Sequence, residues 1–196
     1  MILDENLSFK LHGEYVCNKM SKKVNFLARI ANKINMNSRF TLFKSIVMPH
    51  VEYCATILFS LLKNSKDRLQ KIQNRGMRIV LKCNKKTPIK TMLEVLKIMS
   101  INQRIIYKTL DYIYKIKYNI SPDYLRDELR VVGDVHDYQT RHRNDFYLCT
   151  FNTTKMNNSV FSKGFRIFNS LPSDIKECNS YKHLKKLLLK HVFEKF

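Results

Sequence analysis

Ten Lys or Arg and a single acid, Asp67, lie within residues 61–90. Arg68, Lys71, Arg75, Arg78 and Lys82 recur there at intervals of three and four residues. A helix turns by about 100° per residue, so Lys71, Arg75, Arg78 and Lys82 would form one narrow stripe with Arg68 at its margin. Leu69, Ile72, Gly76, Ile79, Val80 and Cys83 share another side and can bury themselves. Lys85 and Lys86 carry the positive charge beyond the helix. A row of cations on a fixed helix matches a polyanion with repeating charge, which means a nucleic-acid backbone. The same residues also describe an ordinary solvated basic face, and both readings stand at this point. Ser65 is the expected N-cap, with Asp67 in the positive first turn.

The flanking periodicities predict what would hold this helix. Val16, Met20, Val24, Leu27, Ala31 and Ile34 predict a helix over 11–34, with Lys19, Lys22, Lys23, Arg29 and Lys33 on its other faces. A break with a fresh cap follows at 35–38. A second helix should turn Phe40, Phe43, Ile46 and Val47 inward until Pro49 interrupts it. His50 reads as a partly exposed residue after a proline, not as a ligand. Thr87-Pro88 reads as a cap with proline at the first helical position. Ile89, Leu93 and Leu96, with Met92 and Met99, mark the short helix after it. Ser100 caps another helix, with Ile105, Ile106, Leu110, Ile113 and Ile116 inside. Tyr107, Tyr112, Tyr114 and Tyr118 interleave there with Lys108, Lys115 and Lys117. Such mixing can stack bases and hold phosphates, but at helical spacing the rings read as core edges.

Residues 133–154 show no period and read as a long loop with one or two short strands, dividing the chain into lobes of 1–130 and 131–196. Arg141 is expected to tie that loop to a helix C-terminus, with a phosphate contact as the sharper alternative. Beyond it, Phe161, Phe165 and Phe168 should anchor a small second core. Ser180 caps a final helix with Leu184, Leu187, Leu188 and Val192 inward and Lys182, Lys185, Lys186, Lys190 and Lys195 mostly outward. A basic amphipathic end of this kind can lie on a membrane or pack on its own lobe. The expected class is mainly α: a helical bundle, a smaller helical C-terminal lobe and an irregular connector.

Composition narrows the partners. A net charge of +20 over 196 residues favours acidic partners, with nucleic acid first and an anionic membrane second. No apolar run approaches the roughly 18 residues of a membrane span, and the acidic start Met-Ile-Leu-Asp-Glu-Asn reads as no signal peptide. The five cysteines are scattered and lack zinc-finger spacing, so they read as reduced, mostly buried thiols of a nuclear or cytoplasmic protein.

Residues 68–83, RLQKIQNRGMRIVLKC, resemble the thumb-region helix of reverse transcriptases from non-LTR retrotransposons, the jockey-like elements of animals. Other stretches follow in the same order. Asp4, Leu7, Phe9 and His12 are similar to the passage from the last palm strand into the thumb, so residues 1–10 would be a remnant of that strand. Residues 48–59 resemble a Pro-x-hydrophobic-x-Tyr segment, with Phe59 where the family usually has Trp. Residues 121–125, Ser-Pro-Asp-Tyr-Leu, and 138–141, Tyr-Gln-Thr-Arg, are family-like. Residues 159–172 resemble a Gly-x-x-x-Trp-Asn-x-Leu-Pro block, with Phe168 replacing Trp. The C-terminal Cys/His knuckle of some relatives is absent.

The resemblance implies the thumb and C-terminal part of an RNA-directed DNA polymerase, present as a fragment, with RNA or RNA–DNA duplex as partner. The palm and fingers of the same polymerase would be a second partner. Adjacent aspartates that hold two metals in that palm are missing, and Asp127-Glu128 is the nearest acidic pair. His12, without a nucleophile or carboxylate pair, reads as structural. The chain is therefore expected to be inactive alone and to require no metal, cofactor or small-molecule substrate. The residues expected to touch phosphates are Arg68, Lys71, Arg75, Arg78, Lys82, Lys85 and Lys86. The alternatives are a protein-interaction helical module and a degenerate transposon relic without autonomous activity.

Overall fold

A computed structural model describes residues 1–127, 129–178 and 180–195. The protein is mainly α-helical, and the described residues form no sheet. The chain divides into two compact units, Met1–Ile105 and Ile106–Phe196. The division falls inside a helix, upstream of the irregular connector at which the sequence reading divides the lobes. Twenty of the 36 Lys and Arg and six of the 16 acidic residues fall in the first unit, which carries +14 of the +20.

The first unit opens without the expected strand. Residues 1–9 form a turn in which the Asp4 carboxylate accepts from the Ser8 N–H and Oγ, each at 2.7 Å. Helix α1 spans Lys10–Ile30, four residues shorter at its end than the periodicity suggests. Its buried side carries Val16, Cys17, Met20, Val24 and Leu27. Asn35 caps α2, Met36–Leu42, by accepting from the Ser38 N–H at 2.8 Å. A π-helical turn, Phe43–Val47, continues it into α3, Pro49–Glu52, with Pro49 in the first turn where its missing N–H costs nothing. Cys54 takes a left-handed conformation and breaks the apolar segment before α4, Ala55–Leu58.

The basic helix α5 spans Lys63–Leu81. It starts two residues before Ser65, with Leu62 at the N-cap position and Asp67 beyond the first turn. Next come α6, Ile89–Leu96, with Pro88 itself at the N-cap position, and α7, Ile101–Lys117. Met92 and Leu96 are the buried residues of α6, whereas Ile89 stays 42% exposed. Ser100 caps α7 as expected. Its Oγ accepts from the Gln103 N–H at 3.2 Å, and Gln103 Oε1 accepts from the Ser100 N–H at 2.8 Å.

The second unit takes the rest of α7, where Ile106, Leu110, Ile113, Tyr114 and Ile116 are buried. A 3-10 turn at Asp123–Leu125 leads into the connector. The connector holds a second 3-10 turn, Val132–Asp134, and a lone antiparallel bridge between Val131 and Phe146, not the expected strands. α8, Thr154–Asn157, precedes a π turn at Val160–Gly164, which runs into α9, Phe165–Asn169. α10, Ser173–Lys176, and α11, Tyr181–Lys195, close the chain.

Phe165 and Phe168 are buried, Phe161 is half-buried, and Phe146 joins them from the connector with ring centroids 4.6 and 4.7 Å from Phe165 and Phe168. Asn169 holds Phe146 there through a reciprocal pair of backbone bonds, 2.8 and 3.0 Å. Leu184, Leu188 and Val192 of α11 are buried and Leu187 is half-buried. Tyr181 donates to Asp111 at 2.7 Å, which fixes the start of α11 to α7. No described helix is long and apolar enough to cross a membrane.

Candidate nucleic-acid interface

The back of α5 is more polar than a hydrophobic template allows. Leu69, Gly76, Met77 and Val80 are buried, and so are Gln73 and Asn74. Ile72, Ile79 and Cys83, expected inside, are only half-buried. The two amides work with Gln70. Gln70 Nε2 donates to Gln73 Oε1 at 2.9 Å and to Asn74 Oδ1 at 2.7 Å. Gln73 Nε2 donates to the Met99 carbonyl at 2.8 Å, and the Ile101 N–H donates to Gln70 Oε1 at 2.8 Å. The network clamps the middle of α5 to the start of α7, and every bond in it has a directional optimum. Gly76 lets α5 approach the buried Phe43 ring closely, since a Cβ there would lie 2.4 Å from Phe43 Cε2.

Arg39 fixes the far end. It is 6% exposed and has no carboxylate beside it. Its Nε donates to the Val80 carbonyl at 2.9 Å, and Nη1 donates to the carbonyls of Ala31 and Ile34 at 3.1 and 2.7 Å. The last turns of α1 and α5 thus converge on one guanidinium. The negative ends of two helix dipoles take the place of a counter-ion.

The outward face of α5 carries Arg68, Lys71, Arg75 and Lys82 exposed and Arg78 half-buried. From Arg68 to Lys82 the row is about 21 Å long at 1.5 Å rise per residue. Lys85 and Lys86 are exposed in the turn beyond it. Among the described residues none of these seven side chains makes an ion pair. Two members depart from a uniform stripe. Arg78 Nε is buried without a hydrogen-bond partner, and the charge of Arg68 acts on the buried Cys17 thiol of α1. Burial pushes the Cys17 thiol up, and Arg68 opposes that rise. Lys66 turns away from the row and donates to the Phe59 carbonyl at 2.7 Å. Lys82 sits just past the last helical residue with φ 52°, in the left-handed region, and the Cys83 N–H bonds back to the Arg78 carbonyl at 3.3 Å.

Neighbouring like charges at three- and four-residue spacing repel by about 0.2–0.5 kcal/mol each, so four such pairs cost α5 about 1–2 kcal/mol. Asp67, four residues before Lys71, offsets part of that repulsion, and a polyanion laid along the row would offset more. Comparison with known proteins gave no match to a family model, a curated protein or a solved structure.

The other singled-out residues take structural places. His12 is 1% exposed, burial lowers its pKa, and neither ring nitrogen has a hydrogen-bond partner. His50 is half-buried, and burial with the nearby charges of Lys23 and Lys19 lowers its pKa as well. Arg141 is exposed and does not tie the connector down; Lys176 does, donating to Asp145 at 2.9 Å and to the Asn169 carbonyl at 3.0 Å. Of the Asp127-Glu128 pair, Glu128 lies outside the described residues. Tyr114 is fully buried, while Tyr107, Tyr112 and Tyr118 are half-buried, as core edges would be. All five cysteines are free thiols, but only Cys17 is buried and Cys149 is exposed. Among the described residues no group of three His, Cys, Asp or Glu side chains converges on a metal position.

Proposed function

We propose that the unit Met1–Ile105 binds nucleic-acid backbone without sequence preference through the outer face of α5, as the thumb-like part of a non-LTR retrotransposon reverse transcriptase. The preferred substrate on this reading is RNA or RNA–DNA duplex. The observation that carries it is the row Arg68, Lys71, Arg75 and Lys82, exposed and unpaired on a helix whose back is clamped at Gln73, Asn74 and Gly76 and whose end is clamped by Arg39. Two independent fixings keep the row from rearranging, and fixed cations suit phosphate gripping, which sets position without reading bases. Lys85 and Lys86 prolong the row, and Arg78 contributes charge from its half-buried place.

The test is a salt series with a labelled RNA–DNA hybrid, comparing the protein with its Arg68→Ala, Lys71→Ala, Arg75→Ala, Lys82→Ala variant. Four to six phosphate contacts predict a loss of affinity on the order of a hundred- to a thousandfold between 50 and 200 mM salt. Removing four cations should lower the magnitude of the log–log slope by about 3 to 4. Equal slopes for the two proteins would remove α5 from the interface.

A further inference from the structure

The outer face of α1 repeats the spacing of α5 with different chemistry. Tyr15, Lys19, Lys22, Phe26 and Arg29 follow one another at intervals of four, three, four and three residues. On a helix they share an arc of about 80° and a length of about 21 Å. That arc is opposite the buried side of Val16, Met20, Val24 and Leu27. All five are exposed, Tyr15 at 45% and Phe26 at 47%. Lys19 places its ammonium 5.4 Å from the centre of the Tyr15 ring. Glu14 is the sole acid anywhere in the helix. The α5 row, by contrast, has cations and no aromatic ring.

The Tyr15 ring stacks on His12, with centroids 6.4 Å apart and planes at 20°, yet Tyr15 and Phe26 both keep nearly half of their surface in water. Cations between the rings discourage an apolar partner, because covering the rings would desolvate Lys19 and Lys22 as well. A single-stranded nucleic acid satisfies both chemistries at once. Every unpaired base has a face that stacks on an aromatic ring, and the phosphates between bases meet the cations. A duplex cannot use the rings, since its bases are already stacked and its outside presents phosphate and sugar. We infer that α1 is a stacking platform for an unpaired strand, so that the first unit takes a nucleic acid carrying single-stranded as well as duplex character.

This rests on the backbone-binding reading of the same unit, and the experiment separates the two. The double variant Tyr15→Leu, Phe26→Leu keeps every charge and much of the apolar surface. Both positions are exposed, and an unchanged circular dichroism melt verifies the fold. Affinity is measured for an unstructured oligo-U carrying one 2-aminopurine and for an RNA–DNA hybrid of the same length. Binding of the oligo-U should quench 2-aminopurine fluorescence by stacking. The variant should lose about tenfold in affinity for each ring, on the order of a hundredfold in total, and should lose the quench. Its affinity for the hybrid should stay within about twofold. If the variant binds and quenches the single strand as the parent does while hybrid binding remains salt-dependent, the stacking platform is refuted and the α5 reading survives. If the parent binds neither nucleic acid, both fall, and the exposed rings of α1 become candidates for a protein contact.

Discussion

Replacing Arg39 with Met should destabilise the first unit by about 3–5 kcal/mol. The side chain is 6% exposed and gives three hydrogen bonds to backbone carbonyls, those of Ala31, Ile34 and Val80. Hydrogen bonds from a charged donor are worth roughly 1.5–3 kcal/mol each, but Ile34 is only half-buried and its carbonyl can partly rehydrate. Met keeps the packing of the aliphatic stem and removes the desolvation cost of a buried cation, which brings the total to the low end of the simple sum or below it. Lys should cost about 2 kcal/mol, because its compact ammonium cannot span carbonyls that a planar guanidinium reaches from two nitrogens. Native domains are stable by about 5–15 kcal/mol, so the Met variant loses a large fraction of that margin. Urea unfolding followed by circular dichroism measures the loss, and amide exchange along α1 and α5 locates it. A loss below about 1 kcal/mol, or exchange unchanged at the ends of α1 and α5, would refute the idea that one guanidinium joins two helix ends.

Gly76→Ala sets an overpacking cost of about 1–3 kcal/mol against Phe43 and a gain of about 1 kcal/mol in helix propensity, so a net loss of about 0–2 kcal/mol is expected from urea unfolding. Lys82→Gly relieves a left-handed non-glycine residue at the end of α5, which should raise stability by about 0.5 kcal/mol while lowering the magnitude of the salt slope for nucleic acid by about 1. Tyr114→Phe removes a fully buried hydroxyl that has no partner, so its thermal midpoint should stay unchanged or rise slightly. His12 is held neutral by burial, with its folded pKa below the usual 6.5, so the unfolded chain binds more protons as pH falls. Stability is therefore complete above about pH 6.5 and declines below it toward the folded pKa. His12→Leu should flatten that decline in urea titrations between about pH 7.5 and 5, leaving the contributions of His50 and His191, which are shifted in the same direction.

Aliphatic periodicity carried most of what was legible beforehand. Ile105, Ile106, Leu110, Ile113 and Ile116 predict a helix and its buried side, and all five are buried. The exposure of Arg68, Lys71, Arg75 and Lys82 follows from the same geometry. Helix ends were less legible. Helix ends in this chain are closed by Lys82, Lys97 and Asn119 in left-handed conformations where glycine is the usual signal, and no glycine has positive φ. With four glycines in all, at least two of them, Gly76 and Gly164, serve close packing instead of chain reversal. Gln73 and Asn74 were invisible as core because a polar residue carries no mark of the partner that will satisfy it. Here those partners, Met99 and Gln70, depend on the tertiary arrangement. Arg39 escaped notice for the same reason. Its acceptors are backbone carbonyls at 5, 8 and 41 residues' distance, and carbonyls have no sequence signature. Phe146 lies in a segment without period and is placed by the Asn169 amide.

The buried polar groups of the first unit explain how its surface can carry so much like charge. A net +14 drives the helices apart, and aliphatic contacts alone, being non-directional, would let α5 roll or slide to spread its cations. The amides of Gln70, Gln73 and Asn74 and the guanidinium of Arg39 act in a narrower geometric range, so they resist such sliding where apolar side chains would only repack. The repulsion is then held in the fold instead of being relaxed by movement. A row of charges held in place presents its full field to an incoming polyanion with little reorganisation on binding, which is where affinity without base recognition originates. The same rigidity orders the consequences of mutation. Loss of an outer cation should change the salt slope and leave the melt nearly intact. Loss of Gln73 or Arg39 should lower the melt first and, where α5 binds as proposed, weaken binding through a less rigid row even though both residues are buried.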